Sequence, residues 1–288
     1  MSIIKVGYLI SYDYEFVKTS LPRVYNSVTE IVFAVDINRK TWAGEDFFIS
    51  DDFWKWVSKI DVENKITIYE DDFSIPGLTT MECDTRERNM LGKRMGACDW
   101  YVQIDSDEYF LDFEAFAAKL REFKPVVPTT ICCNVTTLFK ELNTGYLLID
   151  ESVETLSFAT NNPVYHVARN NQSGNEHLYW DDLVLHQSWA RTPDEIKLKL
   201  TNWGHKDDFN TTSLYKLWNA IDEFNYHCLS NFHPLSPSTW PKLKFIPGDV
   251  NEILNSSLLK ELRGKNGLSS RKKKNFLSRL WKKIKSSF

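Results

Sequence analysis

The sequence predicts an α/β protein with a mostly parallel central sheet, and three observations lead to it. Over the first 110 residues, strand-like and helix-like segments alternate at a regular pitch. The apolar runs read as buried strands, so both faces of the sheet are to be covered by helices. Acidic residues stand at the ends of two of these runs, Asp36 and Asp105, and in such sheets ligands bind at the carboxyl ends of the strands.

Ile3 to Ile10 is the first strand, and Tyr14 to Ser27 has helical spacing with Asp13 placed to cap it. Ile31 to Val35 is the second strand and ends at Asp36. Asp51 to Ser58 reads as a short helix, Lys65 to Tyr69 as a strand and Glu82 to Met95 as a helix. Trp100 to Ile104 is an apolar strand that runs straight into Asp-Ser-Asp-Glu. Leu111 to Phe123 reads as a helix, followed by strands at Thr129 to Phe139, Tyr146 to Ile149 and Tyr165 to Arg169. Asn161, Asn162 and Pro163 mark a turn, and Asn170 to Asn175 a loop. Thr192-Pro193-Asp194-Glu195 is a helix start with proline in the first turn. Helical segments continue to about Leu229, and the Pro-rich stretch from Pro234 to Pro247 has no clear period.

Composition narrows the function. The 288 residues suffice for one large domain with an extension, and the 42% hydrophobic content is that of a soluble globular protein. Aromatic residues reach 14%; core packing accounts for most of them, and flat rings beside polar groups suit sugars and bases. From Arg263 to Lys285 there are ten Lys or Arg and no acidic residue, so the net charge of -4 becomes -14 for the first 262 residues. An acidic body speaks against a general nucleic-acid binder, which needs a basic face. Five cysteines without zinc-knuckle spacing suit a reducing cytosol. Ile3 to Ile10 is interrupted by Lys5 and Gly7, unlike a signal peptide, and no apolar stretch is long enough to span a bilayer.

The strongest chemical signal is Trp100-Tyr101-Val102-Gln103-Ile104-Asp105-Ser106-Asp107-Glu108. In extended geometry the side chains of residues two apart point the same way, so the strand delivers two carboxylates together. Adjacent carboxylates repel unless a cation lies between them, and oxygen ligands suit Mg²⁺ or Mn²⁺. The preceding helix adds Arg88-Asn89, then Gly92-Lys93-Arg94 and Gly96-Ala97-Cys98-Asp99.

With these elements in place, residues 1–110 resemble family 2 glycosyltransferases of the GT-A (Rossmann-like) fold. The resemblance implies a nucleotide-diphosphate-sugar donor, UDP-sugar favoured, a hydroxyl acceptor on a glycan or lipid-linked glycan, and inversion at the anomeric carbon. It places Tyr12 near the base, Asp36 on the uracil or ribose, Arg88 and Asn89 near the nucleotide, Asp105 on the ribose or metal, and Asp107 on the metal. Leu185-His186-Gln187-Ser188 resembles a segment of surface-glycan enzymes in which a distal histidine completes the metal site, which makes His186 a third ligand; His166 and His205 are weaker candidates. Inverting transfer needs a general base. Asp181 and Asp182 are the candidates, although their position just before His186 departs from the family pattern, and Glu151 or Glu176 are alternatives. Lys197, Lys199, His205 and Lys206 suit a diphosphate or an anionic acceptor.

The resulting organisation is a catalytic domain over 1–230, with a nucleotide half to residue 110 and an acceptor half beyond it. An irregular or helical extension over 231–262 and a basic tail over 263–288 follow. In the tail Phe276, Leu277, Leu280, Trp281, Ile284 and Phe288 recur at helical spacing with Arg279, Lys282, Lys283 and Lys285 among them. A basic amphipathic segment of this kind binds anionic membrane surfaces. The expected location is therefore cytoplasmic, on the inner face of the plasma membrane. Three rivals remain, among them a metal-dependent sugar nucleotidyltransferase, disfavoured because Ser11 to Glu15 lacks glycine, and a non-catalytic membrane-surface scaffold. A glycoside hydrolase would pair carboxylates without needing a nucleotide.

Overall fold

The computed structural model describes residues 2–171, 174–259 and 261. Its first part alternates as the sequence requires: β1 (Ile4–Ile10), α1 (Val17–Val24), β2 (Glu30–Asp36), α2 (Asp51–Ile60), β3 (Ile66–Asp71), α3 (Thr80–Arg94) and β4 (Trp100–Asp105). These four strands pair in parallel in the order β3-β2-β1-β4. Their apolar side chains are buried on both faces, as in Ile31, Phe33 and Val35 on one side of β2 and Val32 and Ala34 on the other.

The second part is β5 (Glu108–Phe110), α4 (Phe113–Glu122), β6 (Thr129–Leu142), β7 (Gly145–Asp150), β8 (Thr155–Thr160), β9 (Glu176–His186), α5 (Pro193–Asn202), α6 (Thr211–Ala220), β10 (Lys242–Pro247) and α7 (Val250–Asn255). Beyond β4 the sheet continues through β8, β6, β7 and β10, joined antiparallel. The long strand β6 also takes β9 in parallel, and β9 carries β5 antiparallel.

Local chemistry fixes the helix starts. Ser50 caps α2, and Thr79 and Glu82 form a capping box at α3, as Thr192 and Glu195 do at α5. Such caps satisfy backbone N–H groups that have no partner within the helix. Where α3 crosses β1, a Cβ on Gly7 would stand 2.7 Å from the Leu91 side chain. Glycine there lets the helix settle close against the middle of the strand.

Several elements differ from the sequence reading. Tyr14 to Ser27 is not one helix but α1 flanked by short 3₁₀ turns, and Asp13 makes no side-chain cap to it. Tyr165 to Arg169 forms no strand; only an isolated bridge joins Val167 and Asn170, and Ala168 turns the chain at φ 46°. β8 was not foreseen, and β10 lies inside the stretch read as having no period. The basic tail lies outside the described residues, as do residues 262 and beyond generally. Among the described residues no helix is long and apolar enough to cross a membrane.

Candidate active site

A cleft opens at the carboxyl ends of β1 and β4. The chain leaving β1 lines it with Ser11, Tyr12 and Asp13, and the chain leaving β4 with Asp105, Ser106 and Asp107. From above, α3 contributes Asp84 and Arg88, one helical turn apart and therefore on one face. His186 comes from the end of β9, and Lys199 and Asn202 from α5.

The β5–β9 pairing explains why His186 meets Asp107. Its register sets Glu108 opposite His186, and Gln187 N–H donates to the Asp107 carbonyl at 2.9 Å. Asp107 Oδ1 then lies 3.3 Å from His186 Nε2. Its Oδ2 accepts from Arg191 Nη2 at 2.5 Å, and the same guanidinium reaches Asp13 Oδ2 at 3.0 Å. The carboxylate of Asp13, expected to cap a helix, is turned into the cleft instead.

Asp105 is held differently. Arg88 Nη2 donates to both its oxygens, at 2.9 and 3.2 Å, while Arg88 Nε bonds Asp84 Oδ1 at 2.6 Å. Glu108 completes the acidic run from beneath. Its side chain accepts from the Asp105 backbone N–H at 2.8 Å and forms a two-pronged pair with buried Arg169. Of the four residues Asp-Ser-Asp-Glu, two carboxylates thus face the cleft and the third braces the turn.

Charge in the cleft is nearly balanced, and this sets the protonation states. Burial alone would raise the Asp107 carboxyl, but His186 and Arg191 hold it well below the usual range. Burial likewise opposes ionisation of Asp105, and Arg88 and Arg169 overcome it. His186 shows the converse: burial lowers it, and Asp107 more than restores the proton's hold. Lys199 is buried beside Trp189 and Trp203, 5.9 Å from each ring centre, and burial with neighbouring Arg191 pushes it down to about 8.

The loop after β2 roofs the cleft with Thr41 and Trp42. Thr41 Oγ1 donates to Asn202 Oδ1, and Asn202 Nδ2 donates to Glu45 Oε2 at 3.1 Å, so the loop is tied to the end of α5. The far wall is aromatic. Trp189 stands edge-on to Trp203 and Trp240, with ring centres 5.6 and 6.4 Å away, and His233 packs on Trp240 at 4.5 Å.

The structure brings together Tyr12, Arg88, Asp105, Asp107 and His186, along with Lys199. The other expected residues stand elsewhere. Asp36 is buried with both oxygens engaged by backbone: Oδ1 accepts from Asn38 and Lys40, and Oδ2 from Phe73 and Ser74, at 2.9 to 3.2 Å. It fastens the ends of β2 and β3 and does not line the cleft. Asn89 faces away from it and grips Tyr165 through both its N–H and C=O. Asp181 and Asp182 form a two-residue bulge where the β6–β9 register shifts between Trp180 and Leu183. Asp181 is exposed, and Asp182 is buried against Lys119 of α4, roughly 13 Å along the strand from His186. Glu151 pairs with Lys242 on the surface, Glu176 and His166 are exposed, and His205 bonds Asp208. Lys197 is exposed and pairs with Asp194, and Lys206 does not line the cleft.

Arg191, Asp84 and Glu154 line or complete the site without having been singled out from the sequence, and Asp13 was read there only as a helix cap. Arg191 was within reach: it lies five residues beyond His186, at the start of a capped helix. Asp84 was also within reach, one turn before Arg88.

No protein-family model matches the chain. No curated protein matches it in sequence either. Among solved structures it is similar to Staphylococcus aureus TarS 1–349 in complex with UDP-GlcNAc, at 14% identity, over 49% of this chain and 35% of that one, with a TM-score of 0.30. The Pyrobaculum calidifontis mannosyltransferase PcManGT in complex with GDP-Man and Mn²⁺ gives 13%, 49%, 36% and 0.31. Yersinia pseudotuberculosis HddC complexed with GMP-PN gives 9%, 65%, 93% and 0.35. The chain spans only about a third of the length of the first two.

The chemistry of the cleft bears on a cation. Among the described residues no three His, Cys, Asp or Glu side chains converge as a ready-made metal site. Asp105 turns both oxygens to Arg88. Asp107 Oδ1 and His186 Nε2 are another matter: at 3.3 Å they are too far apart for a strong hydrogen bond. Adjacent ligands at about 2.1 Å from one octahedral ion would be separated by about 3 Å. Carboxylate and imidazole together suit Mn²⁺.

Proposed function

We propose that the cleft binds a nucleotide-diphosphate-sugar and transfers its sugar to a hydroxyl group, as a metal-dependent glycosyltransferase. The observation that carries this reading is the set Asp105, Asp107, His186, Arg191 and Lys199, gathered at the carboxyl ends of parallel strands beneath a capped helix.

Such a reaction needs a leaving group stabilised as negative charge builds on it. Lys199 and Arg191 supply positive charge beside Asp107, and Lys199 has no carboxylate ion pair among the described residues. Arg88 Nη1 is buried and lacks an acceptor among the described residues. An orphan donor of this kind costs about 1–3 kcal/mol, and an oxygen of the donor's ribose or phosphate would satisfy it. Asp107 and His186 would hold Mn²⁺ or Mg²⁺, with Asp105 close by. Bound there, the ion supplies neutralisation of the charge on the departing diphosphate. The aromatic wall of Trp189, Trp203 and Trp240 suits the apolar faces of sugar rings. UDP-sugar is the favoured donor, and inversion the favoured outcome.

The acceptor belongs to the same reading: a glycan or lipid-linked glycan, reached from a membrane surface through the basic residues 263–288, at the cytoplasmic side of the plasma membrane. Support for that part is the sequence of the tail, with its ten cations and no acid.

Calorimetric titration of UDP, GDP and CMP, each with and without Mn²⁺, tests the reading. Tight, Mn²⁺-dependent binding of one nucleotide is the expected result. Absence of binding by folded protein would return the molecule to the hydrolase or scaffold readings.

A further inference from the structure

The transfer proposed above requires a group that accepts the proton of the attacking hydroxyl, and the residues expected from the sequence, Asp181 and Asp182, are not in the cleft. We infer that Glu154 is this general base. The assignment rests on the glycosyltransferase reading and follows from the partners of the carboxylates and imidazoles lining the cleft.

Four of the cleft's five carboxylates are already paired with buried guanidinium groups. Asp84 and Asp105 share Arg88, and Asp13 and Asp107 share Arg191. A neighbouring guanidinium favours a carboxylate's ionised form and takes up at least one of its oxygens, which makes it a weaker base than the same carboxylate unpaired. The two imidazoles are also committed. His186 Nε2 faces Asp107. His233 Nδ1 accepts from the backbone N–H groups of Leu235 and Ser236, at 3.1 and 2.9 Å. Neutral histidine with an acceptor Nδ1 carries its proton on Nε2, so no lone pair is left to take another.

Glu154 stands apart from all of these. It lines the cleft with the aromatic wall and forms no ion pair among the described residues. Its Oε2 accepts from Trp240 Nε1 at 3.0 Å, and no described residue donates to Oε1. One oxygen anchored and the other open is the arrangement a base needs to meet a hydroxyl in a fixed direction. The backbone enforces it. Glu154 lies in the short connection between β7 and β8, where Glu151 has φ 57° and Glu154 N–H bonds Ser152 Oγ at 3.3 Å; its carbonyl accepts from Val135 N–H at 3.0 Å.

The step balances. Oε1 takes the proton of the acceptor hydroxyl as that oxygen forms its bond to the anomeric carbon. The bond from the anomeric carbon to the diphosphate oxygen breaks, and the diphosphate leaves with the electron pair. Trp240 acts through Glu154 and is a positioning residue.

The test uses the full chain and two donors, UDP-GlcNAc and GDP-mannose, with release of nucleoside diphosphate to water as the assay, since water needs the same base. Glu154→Gln keeps an acceptor for Trp240 and is expected to bind UDP or GDP within about twofold of wild type. Its turnover should fall by about 10²-fold or more. Glu154→Ala should lose as much and regain part of it with added formate, an external carboxylate that a merely structural role would not respond to. Turnover of Glu154→Gln within a few-fold of wild type, or failure of formate to restore Glu154→Ala while nucleotide still binds, overturns the assignment. If wild type itself neither binds nucleotide nor releases it, the glycosyltransferase reading fails and takes the base with it.

Discussion

Arg191 Nη2 lies 2.5 Å from Asp107 Oδ2, and the same nitrogen reaches Asp13 Oδ2 at 3.0 Å. One buried guanidinium therefore joins the chain leaving β1 to the chain leaving β4. Arg191→Ala would strand two carboxylates in the cleft, and breaking a buried pair costs about 3–5 kcal/mol. A fall in thermal midpoint is expected, with partial rescue by Arg191→Lys, because one nitrogen makes both contacts and an ammonium can donate to two carboxylates. Unchanged stability of the alanine variant by denaturant titration would show that Arg191 does not hold the strand ends.

Asp107→Asn keeps the shape of the side chain and removes the charge. Turnover should fall by about 10²–10³-fold, and nucleotide binding should lose its Mn²⁺ dependence, while the far-ultraviolet circular dichroism stays native. Persistence of Mn²⁺-dependent binding in calorimetry would move the cation away from this residue.

Lys199 is pushed down to about 8 by burial and by Arg191. Below that pH it carries a charge that favours an anionic ligand; above it the charge is lost. Affinity for a nucleoside diphosphate should therefore weaken as pH rises through 8. Lys199→Met should bind about tenfold or more weaker at pH 7, with a flatter profile. Parallel profiles for the two proteins would exclude Lys199 from diphosphate binding.

Glu87 reports on α3 and not on the ligand. Burial pushes its carboxyl up to about 8, against the hydrogen bond that Trp42 Nε1 donates to it at 2.6 Å. Folding therefore favours the protonated form. That contribution is fully present below the ordinary carboxylate range and is lost as pH rises through about 8. Glu87→Gln removes the titration. Between pH 5 and pH 9 wild type should lose about 2–4 kcal/mol more stability than the variant. Identical losses in urea titrations would mean that Glu87 stays charged throughout.

Removal of residues 271–288 should release the protein from vesicles containing anionic lipid and leave it indifferent to neutral ones. Each cation near such a surface contributes about 1 kcal/mol. Cosedimentation of the shortened chain with anionic vesicles would place membrane contact elsewhere.

The sequence made the parallel half of the fold legible because buried strands read as continuous apolar runs and helices announce themselves by caps. It also carried the core of the cleft, since Asp105, Asp107 and Arg88 sit on that regular framework. Asp36 shows the limit: a strand-end carboxylate looks the same whether it meets a ligand or four backbone N–H groups, and only the course of the chain at Phe73 and Ser74 decides. Asp181 and Asp182 show another. A two-residue bulge in β9 depends on pairing with β6, some fifty residues earlier, and no local pattern records it. Glu154 was hidden for the same reason, because its role comes from Trp240, 86 residues away.

Four of the ten tryptophans, Trp42, Trp189, Trp203 and Trp240, line the cleft. Others, such as Trp100 and Trp218, are sealed in the core with their indole N–H groups bonded to backbone carbonyls. The molecule thus carries a built-in optical gauge. A nucleotide stacking near the cleft indoles would quench part of the intrinsic emission and leave a steady background from the core. Ligand arrival and departure could then be timed by stopped-flow fluorescence on the unlabelled protein.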